Sequence, residues 1–99
     1  MRKFIKYKEN YIVCSDGVIY RIYKNKLKEQ KQAYDKDGYR TVTINNTKQQ
    51  AHRVVKSAFD GQSSMQVDHV DGNKENNKLE NLEYVTSKEN NVRRQKKVG

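Results

Sequence analysis

Asp68 and His69 are adjacent in VDHVDGNKENNKLENLEYVTSKENN, residues 67–91, a stretch that holds one of the chain's two histidines, two aspartates and six asparagines. A neutral imidazole can take a proton from water near pH 7. A carboxylate and an amide oxygen are hard donors suited to a cation such as Mg²⁺, with water and phosphate oxygens completing its octahedron. A bound cation of that kind neutralises the charge that develops when water attacks a phosphodiester. Lys and Arg nearby would hold the strand in line. The residue types at this spot are therefore those of metal-dependent phosphodiester hydrolysis.

That chemistry needs elements to bring the groups together. Residues 65–70, MQVDHV, alternate as a strand does, with Met65, Val67 and His69 on one face, so Asp68 and His69 are expected to point to opposite faces. DGNKENN is a turn-rich loop, in which Asp71-Gly72-Asn73 reads as a turn and Asn76 and Asn77 as loop-fixing residues. LEYVT is a second strand, with Leu82, Tyr84 and Thr86 on one face and Val85 on the other. Ser87 reads as the N-cap of a following helix that has Glu89 and Asn90 in its first turn. The order is strand, loop, strand, helix. A hairpin return can then lay Asn90 across the end of the first strand, where it and Asp68 can offer two oxygen ligands while His69 acts on water.

Upstream, AHRVVKSAF changes period. Ala51, Val54, Val55, Ala58 and Phe59 form one face of a short amphipathic helix that Asp60-Gly61 ends. His52, at the edge of that stripe, reads as a boundary residue with a single hydrogen bond. YIVCSDGVIYRIY reads as a hairpin turning at Ser15-Asp16-Gly17. DGYRTVTINNTKQQ reads as a second one, with Val42 and Ile44 on one face and Asn45-Asn46 as the turn. The polar stretch between them, residues 24–36, reads as a loop.

Ninety-nine residues with 33% hydrophobic content allow one small domain with a modest core. The expected division is a β-module at 1–50 and a helix plus site core at 51–99, together one compact unit. Twenty-one Lys and Arg against twelve Asp and Glu give a net charge of +9, which points to a polyanionic partner, nucleic acid before a membrane surface. No apolar run is long enough to span a bilayer. One cysteine, Cys14, excludes an internal disulfide framework and a Cys-paired zinc site. The start, MRKFIKYKEN, has no apolar signal region, so a reducing cytoplasm is the expected compartment.

Residues 67–91 resemble the catalytic core of the HNH endonucleases, of the His-Me finger or ββα-metal nucleases, and most of all the phage intron-encoded homing type. The resemblance is carried by Asp68-His69, Asp71-Gly72-Asn73, Asn76-Asn77, Asn81-Leu82-Glu83-Tyr84-Val85-Thr86 and Asn90. The spacings are 12 residues from His69 to Asn81 and 9 from Asn81 to Asn90. More loosely, the helix at 51–59 and the β-segments before it are similar to what precedes this core in such proteins.

The resemblance implies an α+β fold, with a small N-terminal β-module and one helix leading into a ββα-metal core. It implies that His69 is the general base, that Asp68 and Asn90 hold one Mg²⁺ or Mn²⁺, and that Asn81 braces the loop and helps orient His69. The third motif position is Asn90 rather than His, as in the homing subgroup. Arg93, Arg94, Lys96 and Lys97, just beyond the site, and Lys74 in the loop are the expected phosphate contacts. The expected protein is a bacterial or phage enzyme, acting inside the host cell, that nicks double-stranded DNA with low sequence specificity. Two other readings are a non-catalytic basic DNA-binding module and a phage interaction protein that docks a host factor.

Overall fold

The computed structural model describes residues 2–89. Its N-terminal part is an antiparallel meander of β1 (Phe4–Tyr7), β2 (Tyr11–Cys14), β3 (Ile19–Tyr23) and β4 (Lys26–Glu29), in that spatial order. A second sheet has β5 (Ala33–Tyr34), β6 (Arg40–Ile44) and β7 (Thr47–Gln50) in sequence order. Helix α1 (Ala51–Asp60) follows, then an antiparallel ribbon of β8 (Gln66–His69) and β9 (Leu82–Val85). The segment joining these two strands ends in a 3₁₀ turn, Leu79–Asn81.

Both expected hairpins form. In the second, Ile44 pairs with Thr47, which leaves Asn45-Asn46 as a two-residue turn with φ of 49° and 65°. Asparagine tolerates this left-handed conformation, and a turn with positive φ at both centres matches strand twist. Val42 and Ile44 are buried and Thr43 between them is exposed, the alternation of a one-sided strand.

The reading of residues 24–36 as a loop is corrected. Lys24-Asn25, with φ of 48° and 61°, makes a second tight turn, and Lys26–Glu29 returns along β3 with Tyr23 opposite Lys26 and Tyr20 opposite Glu29. All four residues of β4 are exposed. A strand with no buried face carries no hydrophobic alternation, and its pairing is a backbone matter that side-chain pattern does not reveal.

Helix α1 ties the parts together. Its buried stripe of Ala51, Val54 and Val55 joins Tyr11, Val13 and Ile19 of the meander, Val42 and Ile44 of the second sheet, and Val67 and Leu82 of the ribbon in one apolar cluster. Gly61, at φ 83°, ends the helix and its N–H bonds to the Ser57 carbonyl. Past the ribbon, residues 87–89 are helical and the Glu89 N–H donates to Thr86 Oγ1 at 3.1 Å. The cap is therefore Thr86, one residue before the expected Ser87, whose hydroxyl instead accepts from Gln66 Nε2. Asn90, Arg93, Arg94, Lys96 and Lys97 lie outside the described residues.

Candidate active site

The twelve residues between β8 and β9 are held by side-chain amides. Asp71 Oδ1 accepts from the Asn73 N–H and from Asn81 Nδ2, and Asp71 Oδ2 accepts from Asn76 Nδ2, all at 2.8–2.9 Å. Asn81 answers with its Oδ1, which accepts the Asp71 N–H at 3.0 Å, and its Nδ2 also reaches the Asn76 carbonyl. The Asn76 amide, the Asn73 N–H and the Asn81 amide together lower the Asp71 pKa to about 2, because each donates to the charged form. Asp71-Gly72-Asn73 is thus more than a turn: its aspartate is the hub of the loop. Gly72 closes the chain back on β8, its N–H bonded to the His69 carbonyl.

His69 ends β8 and is buried, at 5% exposure. Its Nε2 lies 2.7 Å from Asn77 Oδ1. An amide oxygen can only accept, so Nε2 carries the proton of this bond. Asn77 is itself buried. The expectation that Asn81 orients His69 is refined here: the Asn81 carbonyl braces the backbone just beyond it, accepting from the Val70 N–H at 2.8 Å, while Asn77 contacts the ring. The sequence reads Asn77 only as a loop-fixing residue.

Asp68 is also buried, at 8% exposure. Strand alternation puts it and His69 on opposite faces, yet both line one open cavity of about 400 Å³. Tyr39, Gln50, His52, Arg53, Gln66 and Lys74 complete most of its wall. Lys74, an expected phosphate contact, stands at this wall with its ammonium 4.8 Å above the Tyr39 ring and bonded to the Asp37 carbonyl.

His52 corrects its sequence reading most. It is no boundary residue: it is 4% exposed, its ring centroid is 4.7 Å from that of His69, and its Nδ1 is buried without a hydrogen-bond partner. Tyr39 packs on both imidazoles, at 5.1 Å from His52 and 5.9 Å from His69. Burial above all, then the charges of His69 and Arg53, lowers the His52 pKa to about 3. The one sequence signal for it is position, since His52 sits beside Ala51 at the start of the buried stripe. Nothing in the sequence singles out Tyr39.

The N-terminal meander reaches this site through one glycine. Gly17, in the β2–β3 turn at φ 94°, packs so closely on Asn77 that a Cβ there would lie 3.1 Å from the Asn77 carbonyl oxygen. The Leu79 N–H donates to the Ser15 carbonyl at 2.8 Å beside it.

Among the described residues no three His, Cys, Asp or Glu side chains cluster tightly enough to hold a metal alone. The oxygen donors on the cavity wall, the Asp68 carboxylate among them, are of the chemistry that fits a hard cation taking few protein oxygens and completing its shell with water and phosphate.

An Asp-His strand end, an Asn-braced loop, a return strand and a helical turn define a small α+β fold of the ββα-metal type. The family model of HNH endonucleases matches residues 49–92, and this segment is of the HNH endonuclease family. It is 36% identical over 89 residues to the uncharacterized HNH endonuclease L245 of Acanthamoeba polyphaga mimivirus, covering 84% of this chain and 26% of that one. It is 38% identical over 91 residues to the DNA endonuclease I-HmuI of Bacillus phage SP01, covering 85% and 51%. The solved structure of I-HmuI, an HNH homing endonuclease that binds and cleaves DNA, superposes with a TM-score of 0.77 at 37% identity, over all of this chain and 59% of the other. The chain thus spans from a quarter to somewhat over half the length of these relatives.

Proposed function

We infer that the chain is a divalent-metal-dependent DNA endonuclease that nicks one strand per active site. The observation that carries this reading is the His69–Asn77 pair on the cavity that Asp68 also lines. A pure binding surface has no use for a buried imidazole held in one tautomer beside a buried carboxylate.

Asp68, with Asn90 from the helix that follows, would hold one Mg²⁺ or Mn²⁺. The ion, when bound, supplies charge neutralisation at the phosphate and the leaving oxygen. His69 Nδ1 takes the proton of the attacking water. Asn77 holds the ring by its Nε2–H, and Asn81 with Asp71 keeps the strand end from shifting. Lys74, Arg93, Arg94, Lys96 and Lys97 contact backbone phosphates of duplex DNA, which binds charge rather than sequence and so gives low specificity. The buried, unpaired Cys14 suits a reducing cytoplasm.

The test separates binding from cleavage. Asp68→Ala is expected to abolish cleavage while duplex affinity, measured by fluorescence anisotropy in EDTA, stays within about threefold, since a metal ligand adds little to phosphate contacts. Asn90→Ala is expected to be milder and to recover in high Mn²⁺, because a site short of one ligand still fills by mass action. Undiminished cleavage by Asp68→Ala would refute the metal assignment.

A further inference from the structure

A histidine occupies a buried place in α1 beside the apolar stripe. His52 is the second residue of the helix, flanked by the core residues Ala51, Val54 and Val55. Its Nδ1 is sealed from solvent and unpaired. Such orphans are rare in native proteins and are kept where the group does something else. A neutral imidazole has one N–H and one lone pair. With Nδ1 sealed and unpaired, the proton belongs on Nε2, the ring nitrogen left to meet a ligand in the cavity that His52 lines.

A second feature converges on the same space. Gln50, His52 and Arg53 bring the start of α1 to the cavity wall. Gln50 makes no side-chain cap, and the first turn holds no acidic residue. The helix therefore brings the positive end of its dipole to this wall with no cap or acid of its own, which suits an anionic oxygen, and the carboxylate nearest its start, Asp35, is engaged by Gln50 Nε2 at 3.2 Å.

We propose that His52 is a substrate-binding residue: its Nε2–H, with the first turn of α1 and Arg53, holds a non-bridging phosphate oxygen of the DNA strand that His69 addresses. The assignment rests on the nuclease reading above. Burial above all lowers the His52 pKa to about 3, so the ring donates as a neutral group.

The experiment uses the full chain and supercoiled plasmid in Mg²⁺. His52→Phe keeps the ring packed against Tyr39 and His69 but removes the donor, and its cleavage rate is expected to fall roughly 10²-fold, the usual effect of losing one preorganised donor. His52→Gln, which can return an N–H near the same place, is expected to recover to within about tenfold of wild type. Independently of activity, ¹⁵N-histidine spectra of the wild-type protein in EDTA should show the His52 Nε2 resonance moving when a short duplex is added. Wild-type cleavage by His52→Phe, or an unmoved Nε2 resonance on a protein that has bound the duplex, overturns the assignment. If wild type itself fails to cleave, the nuclease reading has failed, and the spectrum still decides whether His52 meets phosphate.

Discussion

At the scale of single residues, the site is a pair of histidines kept in different employment by their neighbours. Asn77 Oδ1 fixes the His69 tautomer at 2.7 Å, so Asn77→Ala frees the ring to turn and to exchange its proton. A drop of up to about 10²-fold in cleavage rate, with duplex affinity unchanged, is expected of such a misplacement. Single-turnover kinetics beside a binding titration checks this. His52 makes a different prediction. Its folded pKa, about 3, lies below the ordinary histidine value of 6.5, so unfolding takes up a proton between those limits. Its contribution to stability is therefore complete above about pH 6.5 and declines as pH falls toward 3, with a slope approaching roughly 1.4 kcal/mol per pH unit. Urea midpoints at pH 7, 6 and 5 should fall in wild type and fall less in His52→Phe. Equal acid sensitivity in the two proteins would show that His52 is not the buried neutral group described.

At the scale of elements, the positioning of His69 begins far away in sequence. The β2–β3 turn presses Gly17 onto Asn77, and Asn77 holds His69. Gly17→Ala combines a strained φ of 94° with a 3.1 Å approach to backbone. A destabilisation on the order of 1–3 kcal/mol is expected, together with slower cleavage, read by thermal melts and by plasmid nicking. Unchanged melting and activity would mean that the turn does not support the loop. The same elements show why the sequence is legible in parts. Strands with one buried face, such as β6, and turns with Asn or Asp-Gly announce themselves by pattern. β4 has no buried face, so no pattern marks it. His52 and Tyr39 reach His69 only because α1 and the start of β6 meet the ribbon in three dimensions. No local spacing encodes that meeting, whereas Asp68, His69 and Asn81 lie within one short segment and can be read together.

At the scale of the whole molecule, one apolar cluster runs from Tyr11 through Val55 to Leu82. A fragment of residues 51–99 would leave half of that cluster facing water and is expected to lack a cooperative unfolding transition, as judged by denaturant titration. The net charge of +9 acts at the same scale. Duplex affinity should fall steeply with salt and vary little with sequence. Replacing Arg93 and Arg94 should flatten the salt slope by about one unit for each phosphate that is no longer neutralised.

The central claim, that Asp68 and His69 form a metal-dependent phosphodiesterase site, is tested most directly by incubating supercoiled plasmid with the wild-type chain and with His69→Ala, in Mg²⁺, in Mn²⁺ and in EDTA. Wild type should convert the plasmid to nicked circles only when a divalent ion is present, and His69→Ala should be slower by about 10²–10⁴-fold, the usual effect of losing a positioned general base. Binding without cleavage in either ion, or equal cleavage by His69→Ala, would contradict the account and favour a DNA-binding module built on the same fold.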